Sequence, residues 1–276
     1  MKRVRRWEQL RMALLIVAAL VWLMPLFFVI LTALRSQRDL IAGGVFAAGG
    51  ALRWTNFTEA WQIGHFGGLF ANSLLLILLK VPLGLLLSSL AAYALARMQF
   101  RFNGAVFLLF LAGLAIPVHV TLLPLALLLR MLHMNDSLFS LIPPYVSLGL
   151  PFQTLVLAGF FRTVPDELLE AADLDGCSEF AKYWRIVLPL AKPAIITLAI
   201  IDIVGTWNEL LIALVLIGAE KWQTVPLGLL QFQGQFASRY TVVMAAILIA
   251  IAPVMLVYIL FQKYLSTEMT AGALKE

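Results

Sequence analysis

Three polar side chains interrupt one of the most apolar stretches of the chain: Asp202, Thr206 and Glu209. Their spacing, i, i+4 and i+7, puts them on one face of a single α-helix. Acids inside an apolar helix are costly to bury, and they usually face a bundle interior or a water-filled path. Two readings are open. The three groups line a path and hydrogen-bond a hydroxyl-rich solute, or they are structural and pair with a charge such as Lys80 or pack against another membrane subunit. Asn208 and Gln153 are candidates of the same kind.

Other chemistry has few residues to carry it. His65, His119 and His133 have no metal-ligand spacing, and there is no His-Glu-x-x-His. His119, beside Pro117, reads as a packed or interfacial histidine. The single cysteine, Cys177, permits neither an internal disulfide nor a cysteine metal cluster. No Gly-x-x-x-x-Gly-Lys-Ser/Thr phosphate loop is present, so this chain is not expected to hydrolyse ATP by itself. No catalytic residue, metal site or cofactor is expected within it.

The elements that position the polar residues follow from composition. Hydrophobic residues make up 62% of the 276 residues and charged residues 13%, about half the charge of a soluble domain. The surplus apolar surface needs lipid. Met12–Leu34 carries no charge and as a helix is roughly 35 Å long, enough for a hydrocarbon core of about 30 Å. Similar runs cover about Leu69–Ala96, Gly104–Leu129, Leu138–Phe161, Ala191–Ile217 and Thr241–Phe261. The expectation is an all-α membrane protein with six transmembrane helices, because backbone polar groups in lipid must be satisfied within the segment. Pro82, Pro117, Pro124 and Pro151 are expected to kink these spans rather than end them. The Gly43-Gly44 and Gly49-Gly50 pairs in the first outer loop read as turns.

Charge sets the orientation. With both termini cytoplasmic, thirteen lysines and arginines fall inside. Six fall outside: Arg35, Arg38, Arg53, Arg130, Lys221 and Arg239. The bias favours that topology. The basic residues are scattered and no stacking platform accompanies them, so no nucleic-acid role is expected. The N-terminus has the charge pattern of a signal peptide, but its apolar run is long and no small-x-small cleavage site follows, which suits an uncleaved first span.

A loop of about residues 162–192, between spans four and five, is too long to be a simple connection. Pro165, Asp166 and Glu167 suit a first helical turn, with a preset φ and acids at the positive dipole end. Leu168, Leu169, Ala171, Ala172 and Leu174 supply an apolar face. Gly176 suits a left-handed helix end. Ser178 suits the cap of a second helix carrying Phe180, Tyr183, Trp184 and Ile186, stopped by Pro189. Two short amphipathic helices at the inner surface, joined by a glycine turn, are predicted. They either pack on their own membrane domain or dock a soluble partner, for which exposed aromatics beside charges are typical anchors.

Glu170-Ala171-Ala172, then Gly176, then Ile186-x-Leu188-Pro189 resembles the EAA loop of ABC importer permeases. Further stretches resemble the maltose-type and glycerol-phosphate-type sugar-uptake branch: Asn72-Ser73-Leu74, Ala91-Ala92-Tyr93-Ala94-Leu95-Ala96-Arg97, Trp207-Asn208-Glu209, Thr224-Val225-Pro226-Leu227-Gly228 and Ala271-Gly272-Ala273-Leu274-Lys275. The resemblance spans nearly the whole chain. It implies a type I ABC importer permease fold in the cytoplasmic (inner) membrane. Residues 1–68 would hold the N-terminus, first span and outer loop, 69–262 the transmembrane core, and 263–276 a cytoplasmic tail. It also implies a second permease, two ATPase subunits that bind ATP and magnesium, and an extracytoplasmic solute-binding protein. Glu170, Ala171, Ala172, Gly176, Ile186, Leu188 and Pro189 would couple to the ATPase, and the sugar or related solute would pass between the two permeases. A self-sufficient secondary transporter or channel is the alternative.

Overall fold

The computed structural model describes residues 2–46, 51–236 and 238–273, with side chains over 7–46, 51–236 and 238–263. Gly49-Gly50, Leu274 and Lys275 therefore lie outside the described residues. Among the described residues all regular structure is helical.

One compact unit comprises residues 1–66 and 229–252. It holds α1 (Lys2–Ala33), α2 (Gln37–Gly43) and α3 (Thr55–Ile63). Asn56 Nδ2 donates to the carbonyls of Ala33 at 2.7 Å and Arg35 at 2.8 Å, which satisfies the end of α1. The turn expected at Gly43-Gly44 is there, with Gly44 at φ +71° closing α2.

The other unit comprises 67–228 and 253–276. Its helices are α4 (Phe66–Arg97), α5 (Asn103–Leu114), α6 (Val118–Met131), α7 (Ile142–Phe161), α8 (Asp166–Leu174), α9 (Glu179–Lys182), α10 (Leu188–Leu190), α11 (Lys192–Asn208) and α12 (Leu211–Leu216). Two further helices, α13 (Val225–Gln235) and α14 (Tyr240–Ala273), run from one unit into the other. Leu157, Phe161, Tyr183, Val187 and Leu198 form a buried core beneath the 162–192 loop. Leu76, Leu129, Leu141, Ile212 and Leu227 form a second core.

Among the described residues four helical stretches are long and apolar enough to cross a membrane: Trp7–Ala33, Phe66–Arg97, Leu138–Phe161 and Tyr240–Lys263. Two bent pairs bring the number to six if each counts as one span. In the first, α5 and α6 meet at 102°, so Gly104–Leu129 is not one continuous helix. Pro117 stands in the break with ψ 131° as the N-cap of α6. It lacks an N–H and disfavours helical backbone at Ile116, so it ends one helix and starts another. Pro82, Pro124 and Pro151 do lie inside helices, as expected. Pro151 also explains Gly113 on α5: a Cβ there would stand 2.9 Å from the proline ring.

The second bend, 74°, separates Glu179–Leu190 from α11. Span five is also broken further on. α11 stops at Asn208, Glu209 is extended at φ −70° and ψ 125°, and α12 begins at Leu211. Ala191–Ile217 is thus two helices rather than one, and Glu209 does not continue the face that carries Asp202 and Thr206.

Candidate functional site

A cavity of about 280 Å³ opens among α4, α7 and the α11–α12 break, lined by Lys80, Tyr145, Gly149, Asp202, Thr206 and Glu209 among others. Lys80 Nζ is paired with Asp202 Oδ1, and the two side chains are only 4% and 12% exposed. A charge so far from water persists only with a partner, and each supplies the other's. The second oxygen, Asp202 Oδ2, is buried without a hydrogen-bond partner among the described residues. Gly84 and Gly149 leave room for these groups. A Cβ at Gly149 would stand 3.3 Å from Gln153 Nε2 and 3.5 Å from Lys80 Nζ, and one at Gly84 would stand 3.5 Å from Gln153 Oε1. Ser88 on α4 donates to Gln153 Oε1 at 3.2 Å.

Glu209 has work of its own. Its carboxylate accepts from the backbone N–H of Ile212 at 2.9 Å and of Ala213 at 3.3 Å. It therefore caps the first turn of α12, whose N–H groups have no helical partner. It also accepts the Tyr145 hydroxyl. The expected stripe is met in part: Asp202, Thr206 and Glu209 face one cavity although they do not share one helix. Thr206 is buried. Asn208 is exposed and is not among the residues that line the cavity.

Two of the stretches singled out in the sequence meet in space. Asn72 Nδ2 donates to the carbonyls of Lys221 and Gln223, each at 2.9 Å, and Val225 N donates to Ser73 Oγ at 2.9 Å. A Cβ on Gly228 would overlap Leu69 Cδ1 at 2.4 Å. Asn72-Ser73 and Thr224–Gly228 are two halves of one joint.

The 162–192 loop has the predicted glycine turn. Gly176 adopts φ +73°, Cys177 N donates to Ala172 O at 2.9 Å, and Gly176 N donates to Asp173 O at 3.0 Å. This is a Schellman ending, and it favours glycine at that position. Ser178 Oγ accepts from Ala181 N at 3.3 Å and caps α9 as expected. Pro189 does not stop the second helix. The chain winds as a π-helix over Tyr183–Val187, with Leu188 N donating to Tyr183 O, and continues through Pro189 to Leu190. Pro189 has no N–H to donate, so the helical backbone passes through it without a hydrogen bond at that residue.

On this loop Ala172 is buried, while Glu170, Ala171, Gly176 and Pro189 are exposed and Ile186 and Leu188 are half-buried. Leu174 is 91% exposed, Phe180 65% and Trp184 52%. Phe180 and Trp184 stack with centroids 6.3 Å apart. Buried Lys182 reaches Asp173 at 2.7 Å and Glu179 at 2.5 Å, tying α8 to α9. The Lys182 ammonium holds the Glu179 carboxyl below its ordinary range, against a smaller opposing effect of burial. The hydrogen bonds that the Lys182 ammonium donates to Asp173 and to Glu179 hold it above its own ordinary value. Among the described residues no group of His, Cys, Asp and Glu is placed to hold a metal.

Residues 84–271 match the family described as binding-protein-dependent transport system inner membrane component. The chain belongs to that family. The permease is 33% identical to the sulfoquinovosyl glycerol transport system permease protein of Agrobacterium fabrum, over 92% of this chain and 89% of that one. It is 30% identical to the melibiose/raffinose/stachyose import permease protein of Bacillus subtilis, over 99% of both. A solved bacterial alginate ABC transporter, in complex with a periplasmic protein carrying an alginate pentasaccharide, has a chain of the same fold. That chain has a TM-score of 0.67 at 18% identity, covering 98% of the permease and 97% of itself. The permease is a multi-pass membrane protein.

Two residues of α4 that are not candidates from spacing alone also reach the 162–192 loop. Tyr93 OH donates to Glu179 Oε2 at 2.8 Å. Arg97 reaches the Phe161 carbonyl at 2.6 and 2.9 Å, the Val164 carbonyl, and Asp166 at 2.5 Å. The available signal was Arg97 itself, a cation closing an apolar span. Its partners lie more than sixty residues away, so spacing could not show them.

Proposed function

We propose that this permease forms, with a second permease, the translocation path of an ABC importer for a carbohydrate or related solute. In this reading it has six spans and both termini are cytoplasmic. The 162–192 loop docks an ATPase subunit, which binds ATP and magnesium, and an extracytoplasmic binding protein delivers the solute. The carbohydrate class rests on the relatives, whose names include sulfoquinovosyl glycerol and melibiose/raffinose/stachyose.

One observation carries the coupling role. Leu174, Phe180 and Trp184 are exposed, as is Glu170, on a loop whose helices are fixed to each other by Lys182. A rigid element with exposed apolar anchors and a charge suits a protein partner better than water or its own chain. The cavity holding Asp202, Thr206 and Glu209 then belongs to the path, with Asp202 Oδ2 free to accept from a solute hydroxyl.

Co-purification tests the docking. Glu170→Lys is expected to leave the permease pair intact and to lower ATPase recovery several-fold. Full recovery with that variant would remove Glu170 from the docking surface.

A further inference from the structure

The loop is chain-adjacent to α7 and α11, yet α4 also grips it. Ser89, Tyr93 and Arg97 are spaced i, i+4 and i+8 and so share one face of α4. Each reaches a different part of the loop. Ser89 Oγ lies 2.8 Å from Tyr183 OH in the π-helical turn. Tyr93 OH donates to Glu179 on α9 at 2.8 Å, and its ring meets Tyr183 edge-to-face with centroids 5.4 Å apart. Arg97 binds the carbonyls of Phe161 and Val164, where α7 ends, and Asp166, where α8 begins. The Phe161 carbonyl also accepts from Val164 N at 3.3 Å in the closing turn, and the guanidinium adds shorter, charge-assisted bonds at the end of α7. With Lys182 joining Asp173 to Glu179, α8 and α9 have one tie to each other and one tie each to α4, and the π-helical turn after α9 has a third.

The same helix carries Lys80, paired with Asp202 in the cavity, and Asn72, bonded to the carbonyls of Lys221 and Gln223. Its helical backbone is continuous from Phe66 to Arg97. A rigid helix with fixed contacts at both ends and in the middle transmits a displacement along its axis.

We infer that Ser89, Tyr93 and Arg97 are positioning residues that hand the displacement of the 162–192 loop to α4, so that α4 carries it into the cavity of Lys80 and Asp202. This rests on the coupling role proposed for the loop.

The test uses the assembled complex with its second permease and ATPase subunits. A cysteine at Gly205 in a Cys177→Ser background reports on the cavity, because Gly205 lines it and a Cβ there meets nothing within 4 Å. The probe is a small maleimide, with and without ATP and vanadate. Nucleotide is expected to change the labelling rate by at least about fivefold, the lower end of ordinary coupling factors. Tyr93→Phe with Arg97→Gln is expected to remove most of that response while ATPase recovery stays normal. Tyr93→Phe with Arg97→Lys should retain part of it. Tyr93→Phe keeps the ring contact and removes only the hydroxyl, and Glu179→Ala removes that hydroxyl's acceptor together with the Lys182 ion pair, so adding Tyr93→Phe to Glu179→Ala should do no more than Glu179→Ala alone. A full nucleotide response in the Tyr93→Phe, Arg97→Gln complex overturns the inference and leaves the docking role standing. No response in the Gly205→Cys parent overturns both.

Discussion

Lys80 on α4 and Asp202 on α11 form an ion pair in the interior of a membrane helix bundle. Neither side chain has water access sufficient to hold its charge alone, and one Asp202 oxygen is left without a partner among the described residues. The pair both fixes two helices and charges the wall of a cavity.

Breaking it from one side should be costly. Asp202→Asn leaves Lys80 facing a neutral group, and loss of one member of a buried pair costs about 3–5 kcal/mol. The yield of assembled complex, measured by size-exclusion chromatography, should fall sharply for Asp202→Asn and for Lys80→Met. The double variant Lys80→Met, Asp202→Leu should regain most of it. Full yield in either single variant would mean that the pair does not hold the helices.

Glu209 separates path from scaffold. Glu209→Gln keeps one acceptor oxygen for an N–H of α12, and its amide N–H can donate to the Tyr145 hydroxyl, so assembly should survive while transport per complex changes in rate or preference. Glu209→Ala removes a helix cap, a loss of about 1 kcal/mol, and should lower the yield as well. Mild substitution at Leu210 or Leu214 serves as the control. Reduced yield for Glu209→Gln with unchanged transport per complex would take Glu209 out of the path.

Gly176 is needed for its backbone, not its size. Its φ is +73° and a Cβ there would meet nothing within 4 Å. Gly176→Asn should keep most transport, because asparagine tolerates the left-handed region at a cost of about 1 kcal/mol. Gly176→Pro should insert normally and lose transport, because proline cannot adopt a positive φ. Transport by the proline variant would show that the turn does not matter.

Much of this was legible in the sequence, for local reasons. Gly176 and Ser178 act through bonds to residues within five positions, so helix-ending chemistry identifies them without a tertiary structure. The pairing of Lys80 with an acid of span five follows from the cost of a lone charge in lipid. What was hidden is non-local or capped by unexpected groups. The break at Glu209 has no proline or glycine beside it. The helix ends there because the Glu209 carboxylate caps the next one, and a polar pair such as Asn208-Glu209 does not by itself mark a helix end. Pro117 looks like Pro82 in sequence, yet it divides α5 from α6 while Pro82 stays inside α4. The grip of Tyr93 and Arg97 on the loop depends on which helices touch, and one sequence does not encode that visibly.

Orientation can be measured directly. In a Cys177→Ser background, single cysteines within 162–192 should react with a membrane-impermeant maleimide in inside-out vesicles and not in intact cells. Cysteines near Arg53 and Lys221 should show the reverse. Labelling of the loop from outside would invert the topology.

Uptake into proteoliposomes decides whether this permease is part of an ATP-driven importer. The chain would be reconstituted with its second permease and ATPase subunits, and the binding protein supplied outside. Radiolabelled neutral oligosaccharides such as raffinose and melibiose would serve as probes. The expected result is uptake that requires ATP at the loop side and the binding protein at the other, and no uptake by this chain alone. Uptake by the chain alone, driven by an ion gradient without ATP, would contradict the importer reading and make it a self-sufficient secondary transporter.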